Sequence, residues 1–229
     1  MGIALVSGAQ LVDGNNTSTP SWSSITLPAG RLILAIGTRA GASRETTAIS
    51  HPAITSATKR RDSGGVQTGS NWVRCSIWEC QSNGGTGTLQ LTHNGQAYQT
   101  LVQTLQVTEL GDVVGGDEET AASASSLPIT ASASGVGAGI AACMTEPVNG
   151  AATLNATTWD DQSDLRSGAS GYAQQRTVAE EGNVSGQTVT FSMSSGNVAA
   201  AGACLILLAA PAASAGAAAL LPGSVVPGA

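Results

Sequence analysis

Charge and aromatic rings are what this chain has least of. Of its 229 residues only 10 % are Asp, Glu, Lys or Arg, and 3 % are aromatic. An ordinary soluble domain carries about 25 % charge, so a typical helical enzyme with a salt-bridged surface is excluded. An acidic disordered chain is excluded too, because it needs charge to stay unfolded. The net charge of −6 argues against a surface for nucleic acid.

Histidine and cysteine are also sparse. His51 and His93 are the two histidines, and Cys75, Cys80, Cys143 and Cys204 contain no CxxC pair. A zinc site would need ligands at closer spacing, so the cysteines read as small buried apolar residues. Cys75 and Cys80 are an odd number of residues apart, which puts them on opposite faces of a strand. The longest apolar run, Ala203 to Ala210, spans a strand and not a bilayer, which takes about 20 residues. The opening Met1-Gly2-Ile3-Ala4-Leu5 has no basic n-region, so no signal peptide is expected. A disulfide-free protein made in the cytoplasm, away from membranes, fits these absences.

Motifs of catalysis are missing as well. Gly135-Val136-Gly137-Ala138-Gly139 is not GxGxxG, and there is no P-loop, HExxH or GxSxG. The expectation is no enzyme, no cofactor and no metal. Two acidic groups, Asp112, Asp117, Glu118 and Glu119, then Asp160, Asp161 and Asp164, lack calcium-loop spacing and read as solvated loop charge. Lys59-Arg60-Arg61 reads as a strand end.

What remains is β patterning. Alternating or β-branched segments recur from Trp22–Leu27 and Arg31–Arg39 through Val198–Ala209. Gly/Asn/Pro clusters such as Pro28-Ala29-Gly30, Asp62-Ser63-Gly64-Gly65 and Asn83-Gly84-Gly85 separate them and read as turns. The pattern repeats: Thr86–Thr92 with Thr100–Leu105 resembles Gly186–Ser192 with Ala200–Leu205, 100 residues on, and Gly30–Thr38 is echoed by Gly137–Thr145. The fold expected is all-β, an eight-stranded or larger jelly-roll-like β-sandwich built from two similar halves of about 21–110 and 127–210. Neither half is expected to close a sandwich alone; the two pack face to face. Residues 1–20 are left as an N-terminal segment. Residues 211–229, PAASAGAAALLPGSVVPGA, form an uncharged low-complexity arm. Its Leu220, Leu221, Val225 and Val226 are the candidate assembly interface, placed on a neighbouring subunit.

The entry turn Ile25-Thr26-Leu27-Pro28-Ala29-Gly30, the apolar strand Leu32–Arg39, the strand Val73–Glu79, the Thr-rich strand after it and the repeat of this order together resemble the duplicated jelly-roll sandwich domains of tailed-bacteriophage virion proteins. These include decoration, head-spike and tail-fibre components. The resemblance spans roughly residues 20–210. It implies a virion location and a non-enzymatic role, a capsid decoration or accessory protein held by other virion proteins and by copies of itself. A second reading is a carbohydrate-binding adsorption module of a head spike or tail fibre. There Trp22, Trp72 or Trp159 would stack on a surface glycan, whereas Trp78 reads as core or rim.

Overall fold

The computed structural model describes residues 2–130, 136–146, 154–157, 159–167, 173–184, 186–193 and 198–209. Among them are fourteen strands and no helix: β1 Gly2–Asp13, β2 Ser21–Ala40, β3 Thr46–Ser50, β4 Ile54–Thr68, β5 Asn71–His93, β6 Gln99–Thr108, β7 Leu110–Ala124, β8 Ser126–Thr130, β9 Val136–Glu146, β10 Leu154–Thr157, β11 Asp160–Ser167, β12 Ala173–Asn183, β13 Thr188–Met193 and β14 Val198–Ala209. All pairings are antiparallel. One six-stranded sheet runs β1-β6-β2-β5-β3 with β4 also on β5; a five-stranded sheet runs β11-β12-β9-β14-β7; a three-stranded sheet runs β10-β13-β8. The architecture is all-β and compatible with β-sandwich packing.

The two longest strands explain how the first sheet encloses a core. Pro28-Ala29-Gly30 and Asn83-Gly84-Gly85 do not end strands. They lie opposite one another inside β2 and β5, with Ala29 paired to Asn83 and Gly30 to Ser82. Gly30, Gly84 and Gly85 sit at φ +107°, +77° and +146°, a region only glycine enters freely. Side-chain parity flips there. Ile25 and Leu27 before the corner join Leu32, Leu34 and Ile36 after it in one buried cluster, as Leu89 and Leu91 join Trp78 and Cys80. The ribbon therefore folds over on itself.

A separate cluster fills the second half: Leu127, Ile129, Ala141, Cys143, Trp159, Val178, Val184, Val189, Phe191, Met193, Ala200 and Ile206. The expectation that neither half closes a core by itself is thus corrected. The physical reason lies in strands without alternation. Stretches 32–37, 137–144 and 205–207 are apolar or glycine at consecutive positions because both faces of their strands are buried. Even-numbered Leu32, Leu34 and Ile36 face their own core. Odd-numbered Ile33, with Ile77, Leu105 and Val107, meets Ile140, Ala179, Ala203, Leu205 and Leu207 of the other half. Ala35, Val73, Cys75 and Leu101 likewise meet Ala142, Met144, Ala173, Ala199 and Ala201. The large sheets pack back to back along this seam.

Polar links cross the seam. Gln175 Nε2 donates to the Ala35 carbonyl at 3.0 Å, and Thr177 hydrogen-bonds Gln103. Arg39 Nη2 and Asn71 Nδ2 both donate to Glu146 Oε1, at 2.7 and 2.8 Å. The seam is close: a Cβ on Gly37 would lie 2.5 Å from Gln175 Oε1 and 2.7 Å from Met144 Sδ.

Three further expectations change. Residues 2–13, left outside the sandwich by the sequence, form β1, which pairs β6. The acidic groups around Asp117 and Asp161 are not loops but lie on β7 and β11, outermost strands of the five-stranded sheet. Charge on outer strands discourages pairing with other chains, and it also hides the strand pattern. Asp62-Ser63-Gly64-Gly65 is an irregularity within β4, where the register shifts between Asp62 and Gly65. The arm, with Leu220, Leu221, Val225 and Val226, lies outside the described residues.

Candidate functional site

The densest chemistry lies along β4, where the run Lys59-Arg60-Arg61-Asp62 crosses β5. Lys59 Nζ stands 5.6 Å from the Trp78 ring centroid, within cation–π reach. It also pairs with Glu45, and with Asp62 at 3.1 Å. Arg60 Nε and Arg31 Nε hold the two oxygens of Glu79, each at 2.7 Å. Arg74 Nε meets Asp62 Oδ1 at 2.5 Å. Arg61 reaches Glu118 on β7 at 3.6 Å, linking the halves. Five cations share four carboxylates and each charged group already has a partner, so the lattice holds strands in register more than it offers a group to a substrate.

Asp62 shows the balance of forces. Burial favours its neutral form, but the hydrogen bond and charge of Arg74, the Gly64 N–H and Lys59 outweigh it and hold the carboxyl below its ordinary range. A carboxyl lowered by folding stabilises above its unfolded pKa, about 3.9, and loses that contribution as pH falls through the folded value. Asp62→Asn should cost about 1–3 kcal/mol at pH 7, and the difference from wild type should shrink towards pH 2. A gap in urea-unfolding free energy that stayed constant with pH would count against the ion pair as the cause.

Among the described residues, three grooves lie beside this region and the seam. One of about 290 Å³ opens between β3 and β4, lined by Thr47, Ile49, Ile54, Ser56, Ala57 and Trp78. Another of about 290 Å³ is lined by Ile3, Asp160, Ala179, Glu180 and Glu181. A third of about 280 Å³ lies over Lys59–Asp62 and Glu118. Among the described residues no group of three or more His, Cys, Asp or Glu is arranged to hold a metal.

The cysteines are placed as parity requires: Cys75 faces the seam and Cys80 the first core. Burial, then the charge of Glu79, pushes the Cys80 thiol up to about 12. Burial raises Cys75 and Cys143 further, Asp62 adding to the first and Cys75 to the second. Because the thiolate is the nucleophile, Cys75, Cys80 and Cys143 should resist an aromatic disulfide reagent at pH 8 and react once urea unfolds the chain. Mass mapping that finds any of the three labelled in the native protein would refute their enclosure.

The tryptophans divide. Trp22 is half-buried against the first core, and its Nε1 donates to the Val12 carbonyl at 3.2 Å. Trp72, also half-buried, pairs with Gln67 across β4 and β5. Trp159 is 4 % exposed, bonded through Nε1 to Gln187 Oε1 at 2.8 Å. The expectation that Trp159 stacks on a glycan is corrected, because Gly139 leaves the space that its ring fills. The three rings are not brought together. The sequence showed the cationic run 59–61 but not its partners, since Glu45, Glu79 and Glu118 come from three separate segments. Compared with protein-family models, with curated proteins and with solved structures, the chain matches none.

Proposed function

We propose that this chain is a non-enzymatic structural protein of a bacteriophage-type virion, a capsid-surface decoration or accessory protein that docks on neighbouring subunits. In this reading it is built from two tandem copies of one jelly-roll-like sandwich. The observation that carries the reading is register. Ile33 pairs with Leu105 and with Glu79; Ile140 pairs with Leu205 and with Ala179. Leu105 and Glu79 stand 100 residues before Leu205 and Ala179, the spacing of the sequence repeat. The strand order agrees: β1-β6-β2-β5, with β4 beyond, parallels β7-β14-β9-β12-β11, and β3-β5-β2 parallels β10-β13-β8. At the seam β4 meets β7 and β1 meets β11, as an approximate twofold between the halves would require.

Such duplication matches the phage sandwich domains that the sequence resembles. A block offering each outer surface twice suits repeated docking on a symmetric particle, where modest contacts add. Residues 211–229 serve as the docking arm. The test is add-back to particles from a phage lacking the gene. The full chain should co-sediment in many copies per particle, and a truncation after Pro211 that keeps its β spectrum should not. Full-length protein that stays in the supernatant would end the virion reading.

The alternative, a glycan-binding adsorption module, is favoured by the partial exposure of Trp22 and Trp72. Quenching of tryptophan emission by host surface polysaccharide, lost in Trp72→Ala, would support it over docking.

A further inference from the structure

The chain has two histidines, and both are buried at the ends of one short segment. His93 of β5, 4 % exposed, lies between two hydroxyls. Its Nδ1 is 3.2 Å from Thr46 Oγ1 at the start of β3, and its Nε2 is 3.0 Å from Thr100 Oγ1 on β6. His51, 6 % exposed, lies just past the end of β3. Its Nδ1 accepts the Ala53 N–H at 3.1 Å, so its Nε2 carries the proton and donates to the Ile25 carbonyl at 3.0 Å. Residues 46–53 are thus pinned at one end by His93 and at the other by His51.

The segment between these pins is lightly held. β3 is five residues long and pairs only with β5 among the described strands, with a register shift between Thr46 and Ala48. It forms one wall of the groove above Trp78. We propose that His93 is an acid-sensitive latch: its protonation releases residues 46–53 from β5 and opens the groove over Trp78, while the seam stays closed.

The surroundings of His93 support this: its ring is enclosed, and its two nearest polar partners are neutral hydroxyls. At His93 burial disfavours the imidazolium, and the Asp13 carboxylate at the end of β1 only partly offsets it; the imidazole is lowered to about 4. The other charged groups on elements near His93 are Arg44 and Glu45 ahead of β3, and Arg39 on β2, which lies over Tyr98. A histidine lowered by folding binds more protons when released, so opening is favoured as pH falls from about 6.5 towards 4.

The test is hydrogen exchange of the full chain at pH 7 and pH 5, corrected for intrinsic exchange rates. With His93 alone counted, the opening constant for residues 46–53 should rise about 20-fold, while amides of β6 and β14 keep their protection. Trp78 emission should shift to the red over the same range. In His93→Gln the pH response should vanish. If that variant does not fold, the wild-type comparison decides by itself. Unchanged protection of residues 46–53 between pH 7 and 5, or loss in step with β6 and β14, would overturn the latch.

Discussion

Gly139→Leu should lower the unfolding free energy in urea by about 3–5 kcal/mol, the range seen when a large aromatic loses its place in a core. Even a methyl group at Gly139 would lie 2.6 Å from Trp159 Cζ2 and 2.7 Å from Cζ3, so the indole must leave. Under the proposed duplication Gly139 takes the place of Leu32, Trp159 that of Ala57 and Val178 that of Trp78, because the paired registers align them. Each core then encloses one tryptophan, Trp78 from β5 and Trp159 from just before β11, with Trp22 packed at the edge of the first. The double variant Gly139→Leu/Trp159→Ala should recover at least about 1 kcal/mol relative to additivity. Strict additivity would mean that the two sites do not share one space.

Leu205→Asp should have the next largest effect. Leu205 is fully buried in the seam beside Ile33, Ile77, Leu105 and Ile140. Truncating such a leucine costs about 2–5 kcal/mol, and an unpaired buried carboxylate adds several more. That sum reaches the whole stability of an ordinary domain, about 5–15 kcal/mol. The variant should be unfolded, or cleaved between the halves by low protease, under conditions where Leu205→Met resists. A Leu205→Asp protein within about 1 kcal/mol of wild type would show that the seam is not closed in solution.

Most strand positions were legible because a strand with one or two buried faces leaves a local record. Val198–Ala209 and Val136–Thr145 coincide with β14 and most of β9. The opposite faces of Cys75 and Cys80 followed from parity. The strands missed were β1, β3, β7 and β11: the first two are edge segments of mixed character, and the last two carry acidic side chains. The candidate site was legible only as the cationic run of β4. Apart from Asp62, its carboxylates lie on other segments of the sequence, and no local period connects them.

The sequence by itself determined that the chain is all-β and where most strands lie. These follow from side-chain parity and turn chemistry, which act over a few residues. Tertiary structure decided which face of each doubly apolar strand turns to its own core and which to the seam. It also decided that Pro28–Gly30 and Asn83–Gly85 are corners within strands, and that Trp159 is enclosed. An apolar residue is equally satisfied by either buried side, so only the packing of whole sheets, with Gly37 and Gly139 setting how closely they approach, selects one arrangement.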